Sequence, residues 1–478
     1  MIDWADASLV ETATAIATGK IRSRDVTEAC LDRHARFNPT LNCFVALDPE
    51  AARGAADAAD AQVRRGDPLG PLHGTPLAHK DMYYRNGRVS ACGSRVRETA
   101  VASKTATALT KLDGAGAIEI GRLVMVEFAM GPHGYNANYP LCRNAWNPDY
   151  IPCGSSSGSG VAVASGMAFG SLGSDTGGSI RCPASASGLV GLAPTNGRVS
   201  RFGVMPMSPS LDVVGPLARR ARDCARLLRI IAGPDDKDST TLAAAVPDYE
   251  AELGAPRRLP RIGIARGYFD QHLHPEVEDL LNEAALTFSR LGFPVIDAPM
   301  PVASLSEMAD LHPLLMKAEG AANHLASMRA HPDLYTTEVR ERLQAGFFVS
   351  AVDYIQAQKL RGTFLRQFSQ HVFSDVDLLL TPVLRNPLPT ISETTGKKGV
   401  DYLDMVVELT RNTKVVNYLG LPAISVPCGF TRNGLPAAFQ MIGRGLSEST
   451  LLFAAERYEE AAGWHRMRPP LLDSAAAA

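Results

Sequence analysis

Three observations predict an α/β fold. Between about residues 71 and 220, glycine and serine are dense between short apolar runs such as Ala117-Ile118-Glu119-Ile120 and Val161-Ala162-Val163-Ala164, the pattern of strands, tight loops and buried helices. Ile262-Gly263-Ile264-Ala265 reads as a strand, Val277, Leu280, Ala284, Phe288 and Leu291 follow at helical spacing, and Phe293-Pro294-Val295-Ile296 reads as a second strand. Together they make a βαβ unit with a parallel pair. A chain of 478 residues with 45% apolar content can fill either two or three ordinary domains or one large α/β domain.

Residues 1–66 read as a helical layer covering a sheet edge. Ser8-Leu9-Val10-Glu11 fits a capping box, Gly19 a C-terminal stop, and Asp48-Pro49-Glu50 the start of an alanine-rich helix ending near Gly66. Residues 71–220 carry both serine-rich loops. Gly233-Pro234-Asp235-Asp236-Lys237-Asp238 is a polar breaker, and about 235–380 forms a variable segment, mainly helical over 305–375. Asp377-Leu378-Leu379-Leu380-Thr381-Pro382 and Ala423-Ile424-Ser425-Val426-Pro427 return to β-rich runs, the second within a C-terminal segment, 381–470, that rejoins the core. Residues 471–478, ending in four alanines, read as a flexible tail.

Composition narrows the function. Lysine plus arginine (48) nearly balance aspartate plus glutamate (50), so there is no general field for nucleic acid or an acidic membrane. Eight cysteines are scattered without a C-x-x-C pair, and no His/Cys cluster has zinc-ligand spacing; they read as reduced thiols in a cytoplasmic protein without a metal. The first residues lack a basic and an apolar leader region, and no run approaches eighteen apolar residues, so neither export nor a membrane span is expected.

Two serine loops and one lysine carry the chemistry. Gly74-Thr75-Pro76-Leu77-Ala78-His79-Lys80-Asp81 is an apolar, strand-like approach that places an amine where a strand ends, although a lone Lys-Asp is also a common surface turn. Gly154-Ser155-Ser156-Ser157-Gly158-Ser159-Gly160 and Gly173-Ser174-Asp175-Thr176-Gly177-Gly178-Ser179-Ile180-Arg181 surround serines with glycine, which lets backbone N–H groups close on a ligand oxygen. A serine hydroxyl needs an adjacent base, and lysine serves only when neutral. From a reference pKa of about 10.4 this needs a depression of about three units, roughly 4–5 kcal/mol, within reach of burial. Asp175 and Arg181 can pin the second loop as structural support, aiming the N–H groups of Thr176, Gly177 and Gly178 at a developing oxyanion; otherwise the glycine run is a flexible linker. Gly154-x-Ser156-x-Gly158 also matches the nucleophile elbow of α/β-hydrolases, which would make Ser156 an esterase nucleophile, but the proline-broken Trp146-Asn147-Pro148-Asp149-Tyr150-Ile151-Pro152 is unlike the strand such an elbow follows.

Pro152-Cys153-Gly154-Ser155-Ser156-Ser157-Gly158-Ser159-Gly160, the loop from Gly173, and Gly188-Leu189-Val190-Gly191-Leu192-Ala193-Pro194-Thr195 resemble the amidase signature family. Gly197-Arg198-Val199-Ser200-Arg201, Ser210-Leu211-Asp212, Gly215-Pro216 and Gly420-Leu421-Pro422-Ala423-Ile424-Ser425-Val426-Pro427 extend the likeness along most of the chain, most weakly between about 240 and 370. The resemblance implies one domain over 1–470 with a single large mixed β-sheet between helical layers. It also implies Ser179 as nucleophile, Ser155 after a cis peptide as proton relay, Lys80 as base, and the backbone amides of Thr176, Gly177, Gly178 and Ser179 as oxyanion hole, with no cofactor. Cys153, Ala193 and Val415 depart from the family's usual glycine, lysine and proline. Cys153 reads as packing rather than as a thiol nucleophile.

The expected activity is hydrolysis of a small-molecule amide, with carbamate (a urethanase activity) or ester bonds also compatible. The competing reading is the glutamine-hydrolysing component of a tRNA-dependent amidotransferase, similar over the same motifs. Against it, Thr410 and Arg411 stand where a glutamine-binding acid is expected, shortly before Thr413-x-x-x-Asn417. Met130, Phe347, Phe348 and Tyr354 are candidate substrate-pocket residues favouring an apolar group over a charged one; the three aromatics are equally readable as ordinary core. A homodimer is left open.

Overall fold

The computed structural model describes residues 4–474; residues 475–478, half of the expected tail, lie outside the described residues. Eleven strands form there: β1 (Phe44–Leu47), β2 (Pro76–Lys80), β3 (Ile118–Leu123), β4 (Gly170–Asp175), β5 (Val190–Ala193), β6 (Val213–Ala218), β7 (Ile262–Arg266), β8 (Val295–Pro299), β9 (Leu378–Pro382), β10 (Ala423–Phe430) and β11 (Pro436–Gly443). Eight of them build one mixed sheet in the order β4-β6-β5-β10-β11-β9-β7-β8. Neighbours pair antiparallel from β4 to β9. The βαβ unit supplies the parallel end: β7, the Pro275–Arg290 helix and β8, with Ile262 opposite Val295 and β9 on the other flank of β7.

A second, three-stranded sheet, β1-β3-β2, stands beside the large one, so the sheet is not single. The break falls between β2 and β4. There the His79 Nδ1, not a backbone carbonyl, accepts the Leu172 N–H at 3.1 Å, and the Phe169 N–H reaches the Pro76 carbonyl at 3.1 Å. A buried imidazole therefore takes the place of a regular ladder while keeping the ends of β2 and β4 side by side.

The N-terminal helices follow their caps. Ser8 and Glu11 form the capping box of the Leu9–Ala17 helix, and Asp48 caps the Pro49–Arg65 helix, which stops at Gly66 in the left-handed conformation (φ 71°) and packs on β3. The helices Ser157–Ala164 and Arg181–Ser187 are buried at every residue: small and apolar side chains fill them, and their one charge, Arg181, is paired with Asp175. The 305–375 region resolves into the helices Val302–Ala330, Thr337–Gly346 and Ala351–Val372. The first two touch at Gly346, where a Cβ would sit 2.1 Å from the Lys317 carbonyl oxygen. Where the sequence reads as tail from residue 471, a short helix, Pro470–Ser474, forms instead, because Leu471 and Leu472 pack on the main core. Among the described residues no helix is long and apolar enough to cross a membrane.

Candidate active site

Lys80 is the last residue of β2, a strand buried at all five positions. Its side chain is fully buried, and Nζ donates to Ser155 Oγ at 2.7 Å and to Ser174 Oγ at 2.9 Å. Burial pulls its pKa down to about 7, although Asp212 and Asp175 act the other way. Asp212 is itself raised to about 6 by burial, against hydrogen bonds from Thr176 Oγ1 at 2.6 Å and from the Met207 and Ser208 N–H groups at 2.9 Å each. Ser155 follows a cis peptide bond from Gly154 and is fully buried.

The second loop leaves the end of β4. Asp175 accepts from the Gly178, Ile180 and Arg181 N–H groups, from Asn417 Nδ2 at 2.9 Å, and from Arg181 Nε and Nη2 at 3.1 and 2.9 Å. Burial would raise this carboxyl, but Arg181 and the hydrogen bonds hold it at about 2, so it is an anion at neutral pH. Arg181 goes on to Gln440 Oε1, the Thr413 carbonyl and Asn417 Oδ1. The far side of the loop is tied by Thr413 Oγ1 to the Gly177 carbonyl at 2.6 Å and by His312 Nε2 to the Thr176 carbonyl at 2.8 Å. Burial lowers His312 to about 4, so its neutral ring donates that bond.

This wiring corrects one expectation. The Gly178 N–H points at Asp175 Oδ1, 2.7 Å away, and is not free for an oxyanion, because the loop's own anchor consumes it. The N–H groups of Thr176, Gly177 and Ser179 make no hydrogen bond among the described residues, and Gly177 and Ser179 are the two partly exposed positions between buried neighbours.

Gly154, Thr176, Gly177, Gly178 and Ser179 line one cavity of about 250 Å³. Its opposite wall is helical: His312, Met316 and Lys317, then Arg342, then Leu403, Val406, Val407, Thr410 and Lys414 of the Gly399–Leu419 helix. None of the four sequence-derived pocket candidates lies on it. Phe347 and Phe348 are 45% and 88% exposed beyond the end of their helix, Tyr354 turns its hydroxyl to Glu319 Oε1 at 2.9 Å, and Met130 is buried behind the wall, giving its carbonyl to Arg342 Nη1 at 3.0 Å. The elbow reading of Ser156 also fails: no strand precedes it, and its buried Oγ lies 3.4 Å from the Ser174 backbone N and O, with no base beside it. Cys153 is buried, which pushes its thiol well up, and it holds a left-handed φ of 56° where glycine is usual. Ala193 and Val415 are buried packing positions.

Ser174, Asp212, Asn417, Gln440 and the basic wall residues carry no role in the sequence reading. Only the i, i+4 spacing of Thr413 and Asn417, which puts both on one helix face, signals a shared job.

The amidase family model matches residues 25–452. The A component of glutamyl-tRNA(Gln) amidotransferase from Myxococcus xanthus (strain DK1622) is 37% identical over 490 residues, spanning 98% of this chain and 99% of that protein. Among solved structures, a bacterial aryl acylamidase of the amidase signature family superposes with a TM-score of 0.85 at 26% identity, over 99% of each chain. An inhibitor-bound chain from a vestigial protein complex, described for the evolutionary origins of an s-triazine catabolic enzyme, reaches 0.88 at 30% identity, over 96% of this chain and 99% of that one. With a family match across most of its length and this relative over nearly all of it, the chain belongs to the amidase signature family.

Proposed function

We propose that the chain is an amidohydrolase that cleaves C–N bonds through an acyl-enzyme on Ser179. One observation carries the reading: a fully buried Lys80, drawn down to about 7, whose Nζ stands 2.7 Å from the hydroxyl of Ser155. A lysine in this state takes a proton at neutral pH. Ser179 Oγ attacks the substrate carbonyl while its proton passes through Ser155 to Lys80; the N–H groups of Thr176, Gly177 and Ser179 receive the oxyanion. Collapse breaks the C–N bond, and the departing amine takes the proton back along the same path. Water then attacks the acyl group by the same relay and releases the acid, freeing Ser179. A carbamate or ester passes through the same tetrahedral centre, so those bonds fall within the reading.

Hydrolysis of a nitroanilide tests it. Ser179→Ala should lose activity by about 10³-fold or more, whereas Ser156→Ala should keep most of it. The reverse pattern would return the elbow.

A second reading, the glutamine-hydrolysing component of a tRNA-dependent amidotransferase, draws its support from the name and whole-length similarity of the curated relative. That similarity favours it more strongly than any residue of the cavity does. The cavity itself weighs against glutamine, since Thr410 stands where an acid would bind an α-ammonium and no Asp or Glu lines the space. Glutaminase activity that appears only when the other components of such a complex and charged tRNA are added would establish this reading over the first.

A further inference from the structure

The helical wall facing Ser179 carries three cations and no acid. Lys317, Arg342 and Lys414, from three different helices, line the cavity, and none of its lining residues is Asp or Glu. Arg342 is held by the Met130 carbonyl at 3.0 Å and lies 3.9 Å from Met316 Sδ; among the described residues no carboxylate pairs with its guanidinium. Lys414 is only 7% exposed and, among the described residues, its ammonium has no hydrogen bond and no ion pair; Lys317 has none either. The acid that acts on Lys414 is Asp310, which is exposed and outside the cavity lining.

Elsewhere in this protein comparably buried cations are partnered. Arg181 has Asp175, Arg198 has the Tyr249 hydroxyl and the Ala244 and Ala245 carbonyls, and Arg219 has the Ala5 and Ala7 carbonyls. Burial draws the Lys414 amine below the ordinary lysine range, with Asp310 acting the other way; a buried charge without a partner is unfavourable, and a carboxylate on a ligand would supply the partner it lacks. Met207, Met316, Leu403, Val406 and Val407 give the same cavity an apolar lining beside the cations.

We infer that the cavity selects amides carrying a carboxylate, joined through a short apolar spacer to the scissile carbonyl, with Lys414 and Lys317 receiving the anion. An ammonium beside that carboxylate is rejected for want of an acid. The inference rests on the Ser179 hydrolysis reading and names its substrate class; it also replaces the sequence-based preference for an uncharged apolar group.

Three chromogenic substrates separate the charges: glutaric acid mono-4-nitroanilide, its methyl ester, and γ-glutamyl-4-nitroanilide, which adds only an α-ammonium. The first should exceed each of the others in kcat/KM by about tenfold or more. Lys414→Met should lower the ratio of acid to methyl ester by about tenfold, mainly through KM, while Lys414→Arg restores it to within about threefold. Thr410→Asp places a carboxylate one helical turn before Lys414 and should erase the same preference, which keeps the test decisive should Lys414→Met fold poorly. A wild-type ratio near one, or a ratio unmoved by Lys414→Met, Lys317→Met and Thr410→Asp alike, would overturn the inference.

Calorimetric titration of glutarate into Ser179→Ala needs no turnover. Binding that weakens about tenfold on adding Lys414→Met upholds the anion site even where no anilide is cleaved, an outcome that removes the hydrolysis reading alone. Cleavage of the methyl ester without glutarate binding removes the anion site alone.

Discussion

Lys80 shows how one residue can be tuned by position. Lysine at the end of an apolar strand is placed where water cannot solvate its ammonium, and among the described residues two hydroxyls, those of Ser155 and Ser174, meet it. If it serves as the base, kcat/KM should fall on the acid side of about pH 7, as protonation removes the acceptor. The same burial has a cost in stability. The folded-state pKa lies below the ordinary 10.5, so between about 7 and 10.5 the unfolded chain holds more protons and stability rises with pH. Lys80→Met should therefore lose hydrolysis yet melt at a higher temperature than the parent at pH 7, the gap closing as pH climbs towards 10.5; a gap of the same size at pH 7 and pH 10.5 would show that burial does not act on this amine. Lys80 stood out in the sequence because its flanks are apolar. Ser174 did not, because nothing in a run of glycine and serine distinguishes the hydroxyl that meets an amine from one that packs.

At the scale of elements, the strand β4, its following loop and the Arg181–Ser187 helix act as one braced corner. Asp175 collects three backbone N–H groups and Arg181, so the loop's shape is set by a buried anion rather than by its glycines. Asp175→Asn leaves Arg181 charged and buried without its partner, and should cost about 3–5 kcal/mol in urea unfolding. The wild-type contribution should be present above about pH 4 and fade as pH falls towards 2, because the folded carboxyl is depressed from 3.8 to about 2. A loss under about 1 kcal/mol would mean that the corner holds without its charge. The helices and strands with strong caps or periodicity were readable in the chain: the capping box at Ser8, the Asp48-Pro49 start, the βαβ unit. The basic wall was not. Lys317, Arg342 and Lys414 lie on three separate helices, and only the packing of those helices, close at Gly346, brings their side chains to one space; no local pattern records this. Phe347 and Phe348 misled for the converse reason, since aromatic composition does not say on which side of a helix end a ring will fall.

Across the whole molecule, the two sheets meet at a seam that a side chain closes. The expectation of a single sheet missed this break, because His79 reads in sequence as one more strand residue, whereas its ring nitrogen accepts the Leu172 N–H. Burial lowers His79 to about 3, so the ring stays neutral and can keep accepting at any ordinary pH. His79→Leu keeps the volume but orphans a buried N–H, and should cost about 1–3 kcal/mol. Because the seam sets Lys80 against Ser174, the same change should lower kcat, and an active, fully stable variant would show the seam to be passive. One further tie spans the chain: Arg181 reaches Gln440 on β11 and Thr413 and Asn417 on the Gly399–Leu419 helix. During translation these anchors emerge 232 to 259 residues after Arg181, so a growing polypeptide carries Ser179 on a slack, unbraced strap until they appear. Fragments cut short before Thr413 would accordingly lack every one of these ties, and the loop would take its braced shape only once the later helix and strand had been made.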